Sequence, residues 1–167
     1  MDKAKWILTF LAILGIMAVS CNEKDFDVQN LSPDEFVSLL KNGTYVDKVG
    51  NELPNFSMNH IEGLINYLND TTIIKEFPHN PISSRITHPK ILNECIMWTI
   101  DGIRLGKKYP SLEPSLLDTI KNYSRLTNKE LWMLGNNYVD WHNEFKINPS
   151  EALRKKDLLG NTTYKWN

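Results

Sequence analysis

The clearest pattern of hydrophobic and polar positions in this chain lies between Lys90 and Lys108. On a helix of about 3.6 residues per turn, its polar side chains share one narrow arc, and the rest of the circle is apolar or small. Because a helix with so narrow a polar face must be covered on several sides, the pattern predicts a central buried helix over residues 90–108. We expect the arc to be a solvated, mixed-charge surface; its members are Lys90, Asn93, Glu94, Met97, Asp101, Arg104 and Lys108.

Small side chains lie opposite this arc, at Cys95, Thr99, Gly102 and Gly106. Side chains of this size let a neighbouring backbone approach closely. We therefore expect another helix to pack against this face.

Further helices are indicated by capping signals and amphipathic spacing. Ser32-Pro33 with Glu35 marks one helix start, and Thr127 with Glu130 marks another. Apolar stripes predict helices over 58–69 and 114–124, and a short helix follows Asn148. The fold class predicted is all-α: a compact bundle of five to six helices, or loosely stacked helix pairs, around the central helix.

The connection over residues 70–89 is long and contains Pro78, Pro81 and Pro89, which exclude regular helix. Connections of this length in a compact domain are often functional. An alternative is a packed crossover held by the side chains of residues 77, 82 and 86. The candidate binding loop comprises His79, Asn80, Ser83, Ser84 and Arg85.

The amino terminus has the pattern of an export signal. Lys3 and Lys5 precede an apolar run of about 14 residues. A helix needs about 20 apolar residues to span a bilayer, so this run is too short. Small residues then lead to Cys21, an arrangement that resembles a bacterial lipoprotein signal, in which the cysteine receives lipid. The alternatives are an ordinary secretory signal and an uncleaved anchor.

This interpretation divides the chain into a signal peptide (1–20), a flexible tether (21–30) and a single helical domain (31–167). Lipid on Cys21 predicts attachment to the bacterial outer membrane, facing either the periplasm or the cell surface. The chain without residues 1–20 has the size of one domain.

Composition excludes some partners. The net charge is −1, so no basic excess points to nucleic acid. With Cys21 assigned to lipid, Cys95 has no partner for an intramolecular disulfide, and we expect it to be an inert core residue.

No pattern in the sequence indicates an enzyme. The four histidines form no H-x-x-x-H pair, so we expect neither a metal site nor a cofactor. The sequence has no nucleophile elbow and no phosphate-binding loop, and we assign no catalytic residues. Trp132 flanks the apolar stripe of its helix and, if partly exposed, could stack on a sugar or anchor a protein. The interpretation that we favour is that Trp98, Trp132, Trp141 and Trp166 all cover the core.

Three phrases of the sequence carry a family resemblance: residues 77–84 (FPHNPISS), residues 94–104 (ECIMWTIDGIR) and the terminal Tyr164-Lys165-Trp166. Together with the signal, they resemble an uncharacterised family of small helical Bacteroidetes lipoproteins. The resemblance implies an envelope location and a helical fold, and no activity. Within that phylum, Asp70-Thr71-Thr72 also resembles an O-glycosylation site, which would place a sugar on Thr71.

The function predicted is that of a lipid-anchored, non-enzymatic module that binds a protein or glycan. One alternative is an immunity lipoprotein that blocks a toxin. Another is a hydrolase that uses the 77–89 loop, which requires His79 and Ser83 or Ser84 to converge in a cleft.

Overall fold

The structure is a computed structural model that describes residues 26–83 and 89–167. The predicted signal peptide and Cys21 therefore lie outside the described residues. So do Ser84 and Arg85 of the candidate binding loop.

Helices and short strands alternate along the chain, and two 3-10 turns, Val28–Asn30 and Met58–His60, precede helices. The helices are α1 (Pro33–Lys41), α2 (Tyr45–Val49), α3 (Ile61–Ile65), α4 (Leu92–Leu105), α5 (Asn128–Ile147) and α6 (Glu151–Arg154). The strands are β1 (Ile73–Ile74), β2 (Lys90–Ile91), β3 (Leu116–Asp118), β4 (Ser124–Arg125) and β5 (Tyr164–Trp166).

The all-α prediction is wrong, because the described residues also form two antiparallel sheets. Helices take up 46% of these residues and strands take up 9%. One sheet pairs β1 with β2, and the other has the order β4-β3-β5. The predicted helix over 114–124 is in fact the β3–β4 hairpin.

Two features explain why residues 114–124 do not form a helix. The carboxylate of Asp118 accepts hydrogen bonds from the backbone N–H groups of Ile120 and Lys121, at 3.0 and 3.3 Å, which starts a turn. Asn122 and Tyr123 then have φ of 55° and 56°, and these positive values reverse the chain. The distant segment 164–166 pairs with β3, with Leu116 opposite Trp166, so tertiary pairing overrides the helical spacing.

The central helix lies where the sequence predicts it, but it is shorter and its polar arc is not solvated. α4 ends at Leu105, and its C-cap residue is Gly106, whose φ of 66° is the left-handed value that favours glycine. The exposed fractions of Asn93, Glu94, Asp101 and Arg104 are only 0, 1, 3 and 4%. The prediction of a solvated mixed-charge surface is therefore wrong.

The small-residue face of α4 also differs from the prediction. A Cβ atom on Gly102 would lie 2.8 Å from the carbonyl oxygen of Lys107 and 3.4 Å from Pro110. Backbone that follows the helix, rather than another helix, thus packs against Gly102.

An aromatic cluster forms the other side of the core. The ring of Phe36 packs edge-on against Tyr45, Phe56 and Phe77, with centroids 4.9 to 6.1 Å apart. Phe77 in turn packs against Trp98 of α4 at 5.9 Å. The proline-rich connection is therefore fixed to the core through Phe77.

Within residues 26–83 and 89–167, no helix has the length and apolar content required to cross a bilayer.

Candidate functional site

Asp101 is the centre of a buried polar network that joins four parts of the fold. Its Oδ1 accepts a hydrogen bond from Arg104 Nε at 2.5 Å. Its Oδ2 accepts from the Tyr138 hydroxyl at 3.0 Å and from Trp166 Nε1 at 2.7 Å. Arg104 also donates to two backbone carbonyls at the end of α6, at 3.1 and 2.6 Å. With every partner inside the protein, this carboxylate holds α4, α5, α6 and β5 together and is not free to react with a ligand.

Glu94 is used in a similar way on the first turn of α4. Its Oε1 accepts the backbone N–H of Leu116 at 2.5 Å, and its Oε2 pairs with Arg125 at 3.0 Å. Burial raises the pKa of Glu94, although both contacts oppose that shift. Glu94 therefore connects the central helix to the β3–β4 hairpin.

The candidate binding loop reaches a third polar cluster. Ser83 donates a hydrogen bond to Oε1 of Glu113, and Lys90 Nζ lies 2.8 Å from Oε2 of the same carboxylate. Lys90 also donates to Ser115 at 3.3 Å. Lys90 and Glu113 are 8 and 4% exposed, so the segment that carries Ser83 is fixed to a buried ion pair.

This cluster favours a structural role for Ser83. Burial raises the pKa of Glu113, but hydrogen bonds from Lys90 and Ser83 outweigh it, so the pKa lies below its ordinary value. A carboxylate that is stabilised in its ionised form is a weak base for activating a serine. The contacts of Ser83 are those of a loop anchor.

The other described loop residues, His79 and Asn80, make local hydrogen-bond contacts. His79 Nδ1 lies 3.5 Å from the carbonyl oxygen of Phe77, and Asn80 accepts a hydrogen bond from the Ile82 N–H at 3.2 Å. Of the residues proposed to hold a packed crossover, Phe77 is buried, whereas Ile82 is 81% exposed and does not hold it. Residue 86, like Ser84 and Arg85, is outside the described residues.

A groove formed by other residues has a lining that suits a ligand better than the cluster around Ser83 does. It lies between α5 and the segment that leads into β5, and its volume is about 340 Å³. Met133, which lines the groove, is 45% exposed, whereas the neighbouring Trp132 is 50% exposed and is not part of the lining. We call it the α5 groove; its lining is Glu130, Met133, Leu134, Asn137, Asn161, Thr162, Thr163 and Tyr164.

The favoured expectation that all four tryptophans cover the core is wrong for Trp132, which is 50% exposed, and the sequence analysis did not predict this groove. The available signal is the run Asn161-Thr162-Thr163-Tyr164, in which amide and hydroxyl groups precede an aromatic side chain. The run comes to α5 only through the pairing of β5 with β3, which local periodicity does not reveal.

The charge inside the α5 groove is balanced. The Glu130 carboxylate pairs with Lys121 Nζ at 2.7 Å and closes the capping box with Thr127. The hydrogen bond from Lys121, followed by those from Thr127, lowers the pKa of Glu130 to about 2. The groove therefore presents a neutral ion pair beside neutral amides and hydroxyls.

The low pKa of Glu130 predicts a loss of stability in acid. Because the folded-state pKa of about 2 lies below the ordinary 4.5, ionised Glu130 stabilises the fold above pH 4.5, and this contribution disappears as the pH falls towards 2. Glu130→Gln keeps the capping box but loses the charge. We expect its unfolding free energy to be below wild type at neutral pH and to approach it near pH 2, as measured by urea titrations across that range.

The control for this prediction is Asp140→Asn, which removes an exposed carboxylate from the same helix. Its difference from wild type should be small throughout. A gap between Glu130→Gln and wild type that stays constant from neutral pH to pH 2 would contradict the assigned pKa.

A second cleft, which we call the α4 cleft, lies at the C-terminal end of α4 and also has a volume of about 340 Å³. One wall comes from the loop that contains Leu53 and Phe56, and the other from the end of the helix. The predicted small-residue face thus borders an open cleft. The lining is Gln29, Leu53, Pro54, Asn55, Phe56, Thr99, Gly102, Ile103, Gly106, Lys107 and Lys108.

The remaining candidate residues are placed as follows. Cys95 is free and fully buried, and burial raises the pKa of its thiol well above the ordinary value. His142 is 8% exposed, and burial lowers its pKa. In the part of the chain that the structure describes, no three His, Cys, Asp or Glu side chains are grouped so that they could hold a metal ion.

Thr71, the candidate glycosylation residue, lies on an exposed turn. The neighbouring Asp70 accepts hydrogen bonds from the Thr72 backbone at 3.0 Å and from its hydroxyl at 2.6 Å. These contacts shape the turn around Thr71.

The profile of a family described as Domain of unknown function (DUF4943) matches residues 27–167. The chain belongs to the DUF4943 family. The match covers every element described above, so the α5 groove and the α4 cleft both belong to the DUF4943 domain. No curated protein and no solved structure matches the sequence. The match confirms that the chain belongs to an uncharacterised family. The Bacteroidetes source and the lipid anchor stay predictions.

Proposed function

We propose that this chain is a lipid-anchored protein of the bacterial cell envelope, of the kind found in Bacteroidetes, whose folded domain binds a neutral glycan in the α5 groove. The observation that carries the binding function is the lining of that groove. Amide and hydroxyl side chains, which both donate and accept hydrogen bonds, lie beside the exposed Met133 and the half-buried Tyr164.

This lining suits the two surfaces of a sugar. Vicinal hydroxyl groups need partners that donate and accept, as Asn137 and Asn161 do. The C–H face of a pyranose needs an apolar surface, which Met133 and Tyr164 offer. A volume of about 340 Å³ falls within the usual range for small-molecule sites.

The anchor is supported by the sequence of residues 1–21. A positively charged start, a short apolar run and small residues before Cys21 match a lipoprotein signal. Two or more acyl chains on that cysteine would make the membrane attachment stable. Export to the envelope would also bring the α5 groove to glycans outside the cytoplasm.

The anchor is tested by growing cells with labelled palmitate. We expect label on the wild-type chain and none on Cys21→Ser. Cys95→Ser, which removes the buried thiol, is the matched control and should retain the label. Equal labelling of Cys21→Ser and wild type would overturn the assignment.

Glycan binding is tested with the full-length protein on arrays of neutral glycans. We expect Asn137→Ala with Asn161→Ala, and separately Met133→Ala, to remove the signal. Asn143→Ala, an exposed asparagine on the same helix outside the groove, is the matched control. Retention by the double variant would overturn the site, and absence of any signal from the wild type would overturn glycan binding.

A photocrosslinker at Met133, which lines the groove, separates this proposal from its alternatives. Capture of a single envelope protein in place of a glycan would assign the groove to a protein partner. Capture of an incoming toxin would assign the chain as an immunity lipoprotein.

A further inference from the structure

We infer that the α4 cleft is a second ligand site, separate from the α5 groove, and that it binds an amphiphile with an anionic phosphate group. The source of the phosphate is either a membrane lipid or a soluble alkyl phosphate. Only the lipid source rests on the anchor proposed above.

The cleft has an apolar wall that suits a short alkyl chain. Leu53 and Pro54 are buried, and Phe56 and Ile103 are half-buried beside the opening. The space on the helix side is open, since a Cβ atom on Gly106 would have no neighbour within 4 Å. A body of a few methylene groups would gain about 0.8 kcal/mol for each one that it buries here.

One side of the cleft rim carries two lysines. Lys107 and Lys108 follow α4 directly, and both are exposed. Neither has a carboxylate within ion-pair distance among the described residues, whereas Lys41, Lys90 and Lys121 each do.

Two amides stand at the same opening, Gln29 and Asn55. Two carboxylates lie near Gln29: Asp27, whose Oδ1 accepts the Gln29 N–H at 3.1 Å, and Glu52, whose Oε2 lies 3.4 Å from Gln29 Nε2. The two lysines and the two amides belong to the lining of the cleft, and a phosphate with an apolar tail would pair with these groups and cover the apolar wall.

The position of the cleft brings it close to the membrane. Gln29 lies in the first 3-10 turn. The carboxylate of Asp27 fixes this turn by accepting hydrogen bonds from the Gln29 N–H at 3.1 Å and from Asn30 Nδ2 at 2.6 Å. Lys48 lies over the ring of Phe26 at 5.1 Å and holds the chain just before that turn.

The path from Cys21 to Gln29 is eight residues, which span at most about 30 Å when fully extended. A lipid on Cys21 would therefore keep the α4 cleft within that distance of the bilayer surface. An anionic headgroup is then a ligand at high local concentration.

The test titrates hexyl phosphate into the full-length protein, held in phosphatidylcholine nanodiscs if it is membrane-bound and in buffer if it is not, with calorimetric detection. We expect saturable binding. Hexanol lacks the charge and inorganic phosphate lacks the tail, so each should bind at least about tenfold more weakly.

Three variants locate the site. Lys107→Gln with Lys108→Gln should weaken the binding of hexyl phosphate by about tenfold or more, and Asn55→Trp should abolish it by filling the opening. Lys75→Gln with Lys129→Gln removes two exposed lysines outside the cleft lining and should leave binding unchanged.

The source is resolved by repeating the titration in nanodiscs that contain phosphatidic acid. Loss of hexyl phosphate binding there shows that the lipid headgroup competes for the cleft, and unchanged binding shows that the ligand is soluble. Equal binding of hexyl phosphate and hexanol, no binding by the wild type, or equal affinity of the Lys107/Lys108 variant and wild type would each overturn the site. None of these outcomes bears on the α5 groove or on palmitate labelling of Cys21.

Discussion

Asp101→Ala is expected to lower the free energy of unfolding by about 3–5 kcal/mol, because it leaves the charge of Arg104 buried without a partner. Arg104 is 4% exposed, so water does not replace the lost carboxylate. The Tyr138 hydroxyl and the Trp166 indole N–H also lose their acceptor. Urea denaturation followed by far-ultraviolet circular dichroism measures the change.

Two comparisons make this expectation specific. Glu151→Ala removes an exposed carboxylate that pairs with Arg154 and Lys155, and it should change stability by no more than about 1 kcal/mol. The double variant Asp101→Leu with Arg104→Met removes both buried charges and should be more stable than Asp101→Ala. If Asp101→Ala and Glu151→Ala were equally stable, the network would not be a structural centre.

Trp98→Ala is expected to destabilise the fold by a similar amount, about 3–5 kcal/mol, through loss of buried contacts and the cavity that remains. Trp98 is fully buried, its indole N–H donates to Ser111 Oγ at 2.7 Å, and its ring packs against Phe77. Because Phe77 lies within the proline-rich connection, hydrogen exchange of the amides of residues 77–83 should also become faster. The unfolding free energy and the exchange rates are the two measurements.

Trp132→Ala is the matched control, since it removes the same side chain from a half-exposed position. Its effect should be below about 1 kcal/mol. Comparable losses from the two tryptophan substitutions would mean that the core does not depend on Trp98 in the way described.

The sequence is informative wherever structure is encoded over a few neighbouring residues. The capping boxes that begin at Ser32 and Thr127 give the starts of α1 and α5 correctly, because each is satisfied by a side chain three positions away. The position of α4 follows from its long apolar surface for the same reason.

The failures share a physical cause, which is contact between distant segments. Leu116 and Leu117 have helical spacing with Ile120, but they become a strand once Trp166 and Lys165 pair with them. Asp101 resembles a surface charge until the Tyr138 hydroxyl and the Trp166 indole cover it. No local pattern states which segments will meet.

The candidate sites follow the same division. The place of Trp132 beside the apolar stripe of α5 is compatible with exposure and with burial. The α5 groove cannot be predicted from local sequence, because Asn161 and Thr163 reach it only through the pairing of β5 with β3. The α4 cleft was hidden because glycines on a helix suggest a packed neighbour as readily as an opening.

The contact between Trp166 and Asp101 also has a consequence for biosynthesis. The two residues are 65 positions apart, and β5 supplies the partner strand for β3. While the chain is being made, the central carboxylate lacks its indole donor and the middle strand lacks one of its two neighbouring strands until residue 166 has left the ribosome. Contacts of such high sequence separation form late, so the last parts of the polar network and of the three-stranded sheet close only at the end of synthesis.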